Sequence, residues 1–305
     1  MKVVVVGAGA VGGYFGSRLA EAGVDVTFLV REKRAAQLRE CGLTVRSVQG
    51  DYRYTPQVVT DAAEVEACDV LVVAVKNYHL SDTLSTLKPL VERGAKVLPL
   101  LNGVGHLDLL RAEFGEAAVL GGYCNIIVTL SEQGDAVHTS PTHEFTFGAL
   151  VPEQEAVCER LLAAGQGANI NLNHSQAIYR DMWQKYLFIT AFSGVTTASR
   201  LSIDGVMAHP PTREVLRRAL TEMHTLAGRK GAVMPDDLVE KLMTYMDGFP
   251  AGATSSMHQD FRKGLPLEVE SLQGVAVRYA DEEGIDLPTV RTLYGLLVPH
   301  ATPAA

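Results

Sequence analysis

Residues 2–12 constrain this chain more than any other stretch. A β-branched apolar run, Val3-Val4-Val5-Val6, meets Gly7-Ala8-Gly9-Ala10-Val11-Gly12, and an amphipathic segment follows as far as Gly23. Glycines spaced this way between a buried strand and a helix make the phosphate-binding turn of a dinucleotide-binding βαβ unit. Gly7 permits the tight turn out of the strand. Gly9, without a Cβ, lets the backbone approach a pyrophosphate, and Gly12 lets the helix lie close to the sheet. Ala8, Ala10 and Val11 complete a backbone whose free N–H groups and helix dipole face the phosphates. The alternative is a glycine-rich turn in a βα unit that binds nothing, and the context of strand and helix favours the phosphate-binding turn over it.

The rest of the first half follows from that unit. Helix one is expected over about 11–22 with Gly23 ending it, and strand two over 24–30. The residue after strand two meets the adenosine ribose, and an acidic side chain there favours a free 2′-hydroxyl. Here it is Arg31, with Lys33 and Arg34 close by, so a 2′-phosphate and hence NADP are favoured. Glu32 is the competing detail, and a solvated helix start is the competing role for Arg31. A small hairpin is expected over 44–59, and further parallel strands over 69–75 and 95–101. Each of these parallel strands ends in polar residues, Lys76 and Asn102. Ligands of open α/β sheets sit at such carboxyl ends. Lys76 serves equally as a surface lysine and Asn102 as a turn residue before Gly103. From 117 to 150 the pattern turns β-rich and reads as antiparallel or mixed strands extending the sheet. His138 and His143 fall in a Thr/Ser/Pro stretch and are expected as loop histidines, with no companions for a metal.

Beyond about His174 strand signals end, and helices are expected over 176–193, 212–230, 236–245, 267–283 and 288–297. The division is therefore a Rossmann-type α/β domain over 1–174 and an all-helical domain over 175–305, with a cleft between them. The chain of 305 residues is long enough for both cores. Its net charge of -8 argues against nucleic acid as a partner. The four scattered cysteines suit a reduced cytoplasmic chain. The apolar N-terminus is read as a strand and not as a leader, and no stretch has the length and apolarity of a membrane span. The apolar helix faces serve an internal core or a homodimer equally.

In the helical half Lys185 stands out, in the largely apolar Met182-Trp183-Gln184-Lys185-Tyr186-Leu187-Phe188. Carbonyl reduction with a nicotinamide cofactor needs a proton for the developing alkoxide, and a lysine ammonium supplies both proton and charge. A lysine snorkelling from an amphipathic helix explains the same pattern. Glu268 and Glu270 follow Gly264-Leu265-Pro266-Leu267 at an expected helix start, where a carboxylate binds hydroxyls or favours the dipole. Ser255 and Ser256 precede another helix and suit a substrate carboxylate or a plain N-cap.

Taken together, Gly7 to Gly12, Val75-Lys76, Asn102-Gly103, Trp183-Gln184-Lys185, Ser255-Ser256-Met257 and Arg262-Lys263-Gly264 leading to Glu268 resemble the ketopantoate reductase (2-dehydropantoate 2-reductase) family over nearly the whole chain. The resemblance implies a helical domain of the 6-phosphogluconate dehydrogenase C-terminal type. It implies NADPH-dependent reduction of ketopantoate to pantoate, a step of pantothenate biosynthesis. It makes Lys185 the proton donor and places Arg31 at the 2′-phosphate. Lys76 and Ile127 go to the cofactor, Asn102 to cofactor and substrate, Glu268 to cofactor or substrate, and Ser193 and Ser256 to the substrate. The chain departs from the family where asparagines follow the lysine by one and two turns. Those positions are Ile189 and Ser193, and an isoleucine makes no hydrogen bond to a substrate. Thr190, Ser193, Thr196 and Thr197 are candidates to compensate. A reductase of a different 2-oxo acid is therefore the alternative enzyme, and an NADP-binding sensor without turnover the non-enzymatic one.

Overall fold

The computed structural model describes residues 1–302. It divides into two compact units, Met1–Leu101 with His106–Ile178, and Asn102–Gly105 with the chain from Tyr179 onward. The expected division after residue 174 lies close to Ile178, but the loop 102–105 goes with the second unit.

The strands of the first unit are β1 (Lys2–Val6), β2 (Asp25–Leu29), β3 (Leu43–Ser47), β4 (Tyr52–Tyr54), β5 (Gln57–Val59), β6 (Val70–Val73), β7 (Lys96–Pro99), β8 (Gly121–Leu130), β9 (Ala136–Gly148) and β10 (Asn171–His174). Its helices are α1 (Ala10–Glu21), α2 (Glu32–Cys41), α3 (Leu80–Glu92), α4 (His106–Phe114) and α5 (Glu155–Ala164). One sheet has the order β5-β2-β1-β6-β7 with every pair parallel, in register from Val3 against Val26 and Val70. This is a Rossmann-type half with its switch point between β1 and β6. The β-rich stretch does not extend that sheet, contrary to expectation. It forms a second sheet, β10-β9-β3-β4, with β8 antiparallel to β9.

The reason lies in α1, which packs on β1 and β2 from one side and on β3, β8 and β9 from the other. A helix can lie between two sheets only if its faces are small where strands come close. A Cβ on Gly16 would stand 2.6 Å from the Phe28 ring, and Gly13 faces Leu43 and Ala136. The large side chains of α1 then fill the second interface: Phe15 meets Phe145 edge-on at 5.3 Å, and Tyr14, Phe15 and Leu19 are fully buried. Each such residue contributes roughly 1.5–3 kcal/mol by burial. Arg18, also fully buried, donates to Glu21 at 2.7 Å and to the Gly50 carbonyl at 2.5 Å.

His138 and His143 are corrected as well. They belong to β9, not to a loop, and are 2% and 6% exposed. Their rings stack 5.6 Å apart; Nδ1 of His143 pairs with the Tyr14 hydroxyl and Nδ1 of His138 with the Ser47 hydroxyl, each at 2.8 Å. Burial, with the Arg18 charge adding to it, holds both below the usual histidine pKa of 6.5. His258 is lowered too, by burial and Arg262. The unfolded chain then takes up these protons first as pH falls. Stability is full above about pH 6.5 and is lost below it, toward the folded-state values. Glu64 and Asp204, held down by hydrogen bonds to their carboxylates, lose their contribution only at lower pH. The unfolding midpoint is therefore expected to fall between pH 7 and pH 5, and the fall to be shallower in the His138→Gln, His143→Gln double variant. A scanning series that is flat over this range in the parent would contradict the buried neutral pair.

The second unit is helical: α6 (Ile178–Ser199), α7 (Ile203–Ala208), α8 (Pro210–Arg229), α9 (Leu238–Asp247), α10 (Ser256–Arg262), a π-type turn over Glu270–Gly274 running into α11 (Val275–Glu283), and α12 (Pro288–Leu297). Trp183, Tyr186 and Tyr279 form its aromatic centre, with Trp183 5.4 Å from Tyr186 and 6.0 Å from Tyr279. Among the described residues no helix is long and apolar enough to cross a membrane.

Candidate active site

The glycine-rich turn leaves β1 with Gly7 at φ +94°, a conformation side chains rarely adopt. A Cβ on Gly7 would also touch Val75, in the segment that follows β6, at 3.0 Å. Gly9 is the N-cap of α1, no side chain caps that end, and no acidic residue occupies its first turn. The first amides of α1 thus keep donors for an anion. A Cβ on Gly9 would meet nothing within 4 Å, whereas one on Gly12 would overlap the Gly7 carbonyl oxygen. Open space at the middle glycine and tight packing at the last are what a backbone cradle for a pyrophosphate requires.

The flanking cations divide. Arg31 is the exposed N-cap of α2, and no described residue pairs with its guanidinium. Arg34 is half-buried and committed to the backbone, donating to the Ala8 carbonyl at 3.0 Å and the Gly134 carbonyl at 2.9 Å. It ties the glycine-rich turn to the β8–β9 turn and is a support, not a free cation. Lys33 and Glu32 are exposed at the start of α2. Lys76 is the half-buried N-cap of a short 3₁₀ turn after β6. Ile127 is 49% exposed beside a bulge in β8, its N–H donating to the Ser140 hydroxyl at 3.0 Å.

In the second unit three expected residues come together. Lys185, half-buried on α6, donates from Nζ to Oδ1 of Asn102 at 3.2 Å, and Nδ2 of Asn102 donates to Oε2 of Glu268 at 3.3 Å. The order fixes the amide: reversed, its NH₂ would face the ammonium and its oxygen the carboxylate. Glu268 is 6% exposed, so its carboxylate is held and not hydrated. Gly103, at φ +85°, brings Asn102 here, because a Cβ on it would stand 2.6 Å from the Ser271 carbonyl oxygen.

The π-type turn positions the opposite wall. Its wide bond runs from the Gly274 N–H to the Val269 carbonyl at 2.9 Å, and the Leu272 carbonyl accepts the buried Tyr186 hydroxyl at 2.6 Å. The Ser271 hydroxyl donates to the Glu268 carbonyl at 3.0 Å. Glu270, the other expected carboxylate, is not at this cluster; it is exposed and accepts from Tyr294 at 2.9 Å.

Ser193 is 3% exposed and its hydroxyl accepts from Gln273 at 3.3 Å, so the structure spends it on helix packing. Thr196 donates to the Phe192 carbonyl at 2.7 Å and shares a 3.1 Å contact with the Ser255 hydroxyl. Thr190 and Thr197 are fully buried. Ser255 is the N-cap of α10, accepting from the His258 N–H at 3.1 Å, and Ser256 is the exposed first residue of that helix.

Sequence reasoning missed the aromatic residues beside the lysine. Phe188 and Phe192 stack at 5.3 Å, and Phe249 and Tyr245 join them. The i, i+4 spacing on the Lys185 helix was the available signal.

Comparisons with known proteins agree over the full length. The family model described as ketopantoate reductase PanE/ApbA matches residues 3–152, and its C-terminal counterpart matches residues 177–300. An uncharacterized oxidoreductase of Bacillus subtilis, YkpB, is 35% identical over 97% of this chain and 98% of its own. A 2-dehydropantoate 2-reductase of Halobacterium salinarum is 32% identical over 97% of this chain and 98% of its own. The crystal structure of 2-dehydropantoate 2-reductase from Geobacter metallireducens superposes with a TM-score of 0.89 at 27% identity, covering 98% of this chain and 99% of that one.

Proposed function

This chain belongs to the ketopantoate reductase family, and from that premise we propose that it reduces a 2-oxo acid to the 2-hydroxy acid with NADPH. It is an oxidoreductase acting on CH–OH groups. The observation that carries the reading is the Lys185–Asn102–Glu268 chain of hydrogen bonds.

The amides of Gly9 to Gly12, Arg31 and Lys76 would hold the nicotinamide cofactor, which would supply the hydride. The protein supplies the rest. Lys185 faces the carbonyl oxygen, stabilises the charge that develops there and delivers the proton that completes the hydroxyl. Asn102 accepts from the ammonium, which holds it in place without neutralising it. Glu268 orients Asn102. Ile127 lies along the cofactor and Ser256 holds the substrate carboxylate, roles that the family resemblance supports.

Two substrates are in contention. Ketopantoate, with pantoate and pantothenate biosynthesis behind it, is the substrate named for the curated relative. A 2-oxo acid with a less polar side chain is favoured by Ile189 and by the burial of Ser193. Steady-state NADPH oxidation with ketopantoate beside a panel of 2-oxo acids separates them. A non-catalytic sensor would turn over none.

The NADPH preference rests on Arg31. Arg31→Ala is expected to raise KM for NADPH by about 10- to 100-fold, the worth of one or two charge-assisted hydrogen bonds. KM for NADH should change by less than about threefold, since NADH carries no 2′-phosphate. Equal losses with both cofactors would remove Arg31 from the phosphate site.

A further inference from the structure

The side of α6 that carries Lys185 is aromatic beyond the lysine. Phe188 and Ile189 lie one turn on and Phe192 two turns on, all within about 60° of Lys185 around the helix. The rings of Phe188 and Phe192 are nearly parallel, 13° apart at 5.3 Å. Phe249 stands edge-on to both, at 6.4 Å and 6.0 Å, and Tyr245 stands edge-on to Phe249 at 4.8 Å. Phe188, Ile189 and Phe249 are only half-buried, and Tyr245 is 63% exposed. Four rings share one wall, and the wall keeps an open face.

Exposed aromatic surface of this extent beside a reactive group has a use. Asn102 and Glu268 are the polar neighbours of Lys185. A 2-oxo acid whose carbonyl oxygen meets the Lys185 ammonium, with its carboxylate held by Ser256, has its acyl side chain left for the ring wall. The wall begins about 5 Å along the helix axis from the lysine and ends about 10 Å along it. A benzyl or branched alkyl group spans that reach. A hydroxymethyl group there would lose its water and find no hydrogen-bond partner in Ile189 or the phenylalanines.

We propose that Phe188, Ile189, Phe192, Tyr245 and Phe249 form the acyl-chain subsite, and that the substrate is a 2-oxo acid with an aryl or branched alkyl side chain. The proposal rests on the reading of the chain as a 2-oxo acid reductase. The reaction transfers a hydride to C2 and the Lys185 proton to its oxygen, and the side chain takes no part beyond binding.

The test measures kcat/KM at saturating NADPH for phenylpyruvate, 4-methyl-2-oxopentanoate, pyruvate and ketopantoate. The first two are expected to exceed the last two by about tenfold or more. Phe249→Ala should lower kcat/KM for phenylpyruvate by about tenfold, chiefly through KM, and change that for pyruvate by less than twofold. Tyr245→Ala, at a more exposed position, should act in the same direction and guards against a misfolded Phe249 variant; both must bind NADPH normally. Ile189→Asn should shift preference toward ketopantoate. Ketopantoate as the best substrate of the parent overturns the subsite proposal and leaves the reductase reading intact. So does an equal loss for pyruvate and phenylpyruvate in Phe249→Ala. Absence of turnover with every 2-oxo acid overturns the reductase reading, and the subsite with it.

Discussion

Lys185→Ala is expected to lower kcat by about a thousandfold while leaving NADPH affinity within about threefold. That size is what a combined proton donor and oxyanion stabiliser supplies. The expected split follows from placement. Lys185 is bonded to Asn102 within the helical unit, whereas the glycine-rich turn and Arg31 belong to the other unit. Lys185→Arg sharpens the result. A guanidinium keeps the charge but does not give up its proton at neutral pH, so it restores binding of an anionic substrate without restoring kcat. Single-turnover NADPH oxidation, with cofactor affinity measured by fluorescence titration, reads both quantities. Loss of NADPH binding in Lys185→Ala, or near-full kcat in Lys185→Arg, would remove the proton-donor role.

The second large effect separates two glycines of one motif. In Gly12→Ala the new methyl has nowhere to go, since it overlaps the Gly7 carbonyl oxygen and comes within 3.0 Å of Ala74. Backbone cannot rotate away as a side chain can, so the cost is expected near the upper end of overpacking, about 3 kcal/mol. In Gly9→Ala the methyl enters open space and the backbone already has an extended conformation, φ -77° and ψ -159°. Stability should change by less than about 0.5 kcal/mol, yet the methyl stands where the pyrophosphate has to approach, and NADPH affinity should fall by tenfold or more. Thermal unfolding with and without NADPH distinguishes them: Gly12→Ala is destabilised in both conditions, and Gly9→Ala loses only the increment from the cofactor. A Gly9→Ala variant that keeps that increment would mean that the phosphates do not pass over this turn.

The legible parts of this fold are those whose physics is local. The run from β1 through the glycines to α1 announces itself by period and by missing side chains. Arg31 is fixed by its distance from that turn. The β-rich stretch was legible as strands but not as a separate sheet, because its assignment depends on α1 filling the space between β1–β2 and β8–β9. The same holds for His138 and His143. Their Thr-, Ser- and Pro-rich neighbours look like a loop, and only Tyr14 and Ser47, distant in the chain, make them core residues. The expected end of α6 at 193 was short of Ser199 for a related reason. Its last turns are rich in threonine and serine, weak helix formers, and they persist because Val195, Thr196 and Thr197 are packed in the interior, with the Thr196 and Ser199 hydroxyls satisfied by carbonyls four residues back. Lys185, Asn102 and Glu268 were each singled out, but their mutual bonds join points far apart in sequence. The π-type turn differs from an ordinary helix by a single inserted residue, and nothing in its composition marks it.

The allegiance of the loop 102–105 bears on how such enzymes can be recombined. Asn102 is encoded in the middle of the Rossmann-type half, yet it packs with the helical unit and accepts from Lys185. A chimera joined at the obvious linker near residue 175 would inherit the lysine and carboxylate from one parent and their bridging amide from the other. Exchanges of the helical half between relatives should therefore carry this four-residue loop as a second crossover block, and libraries built with a single junction should be depleted of active members even where both parents fold well.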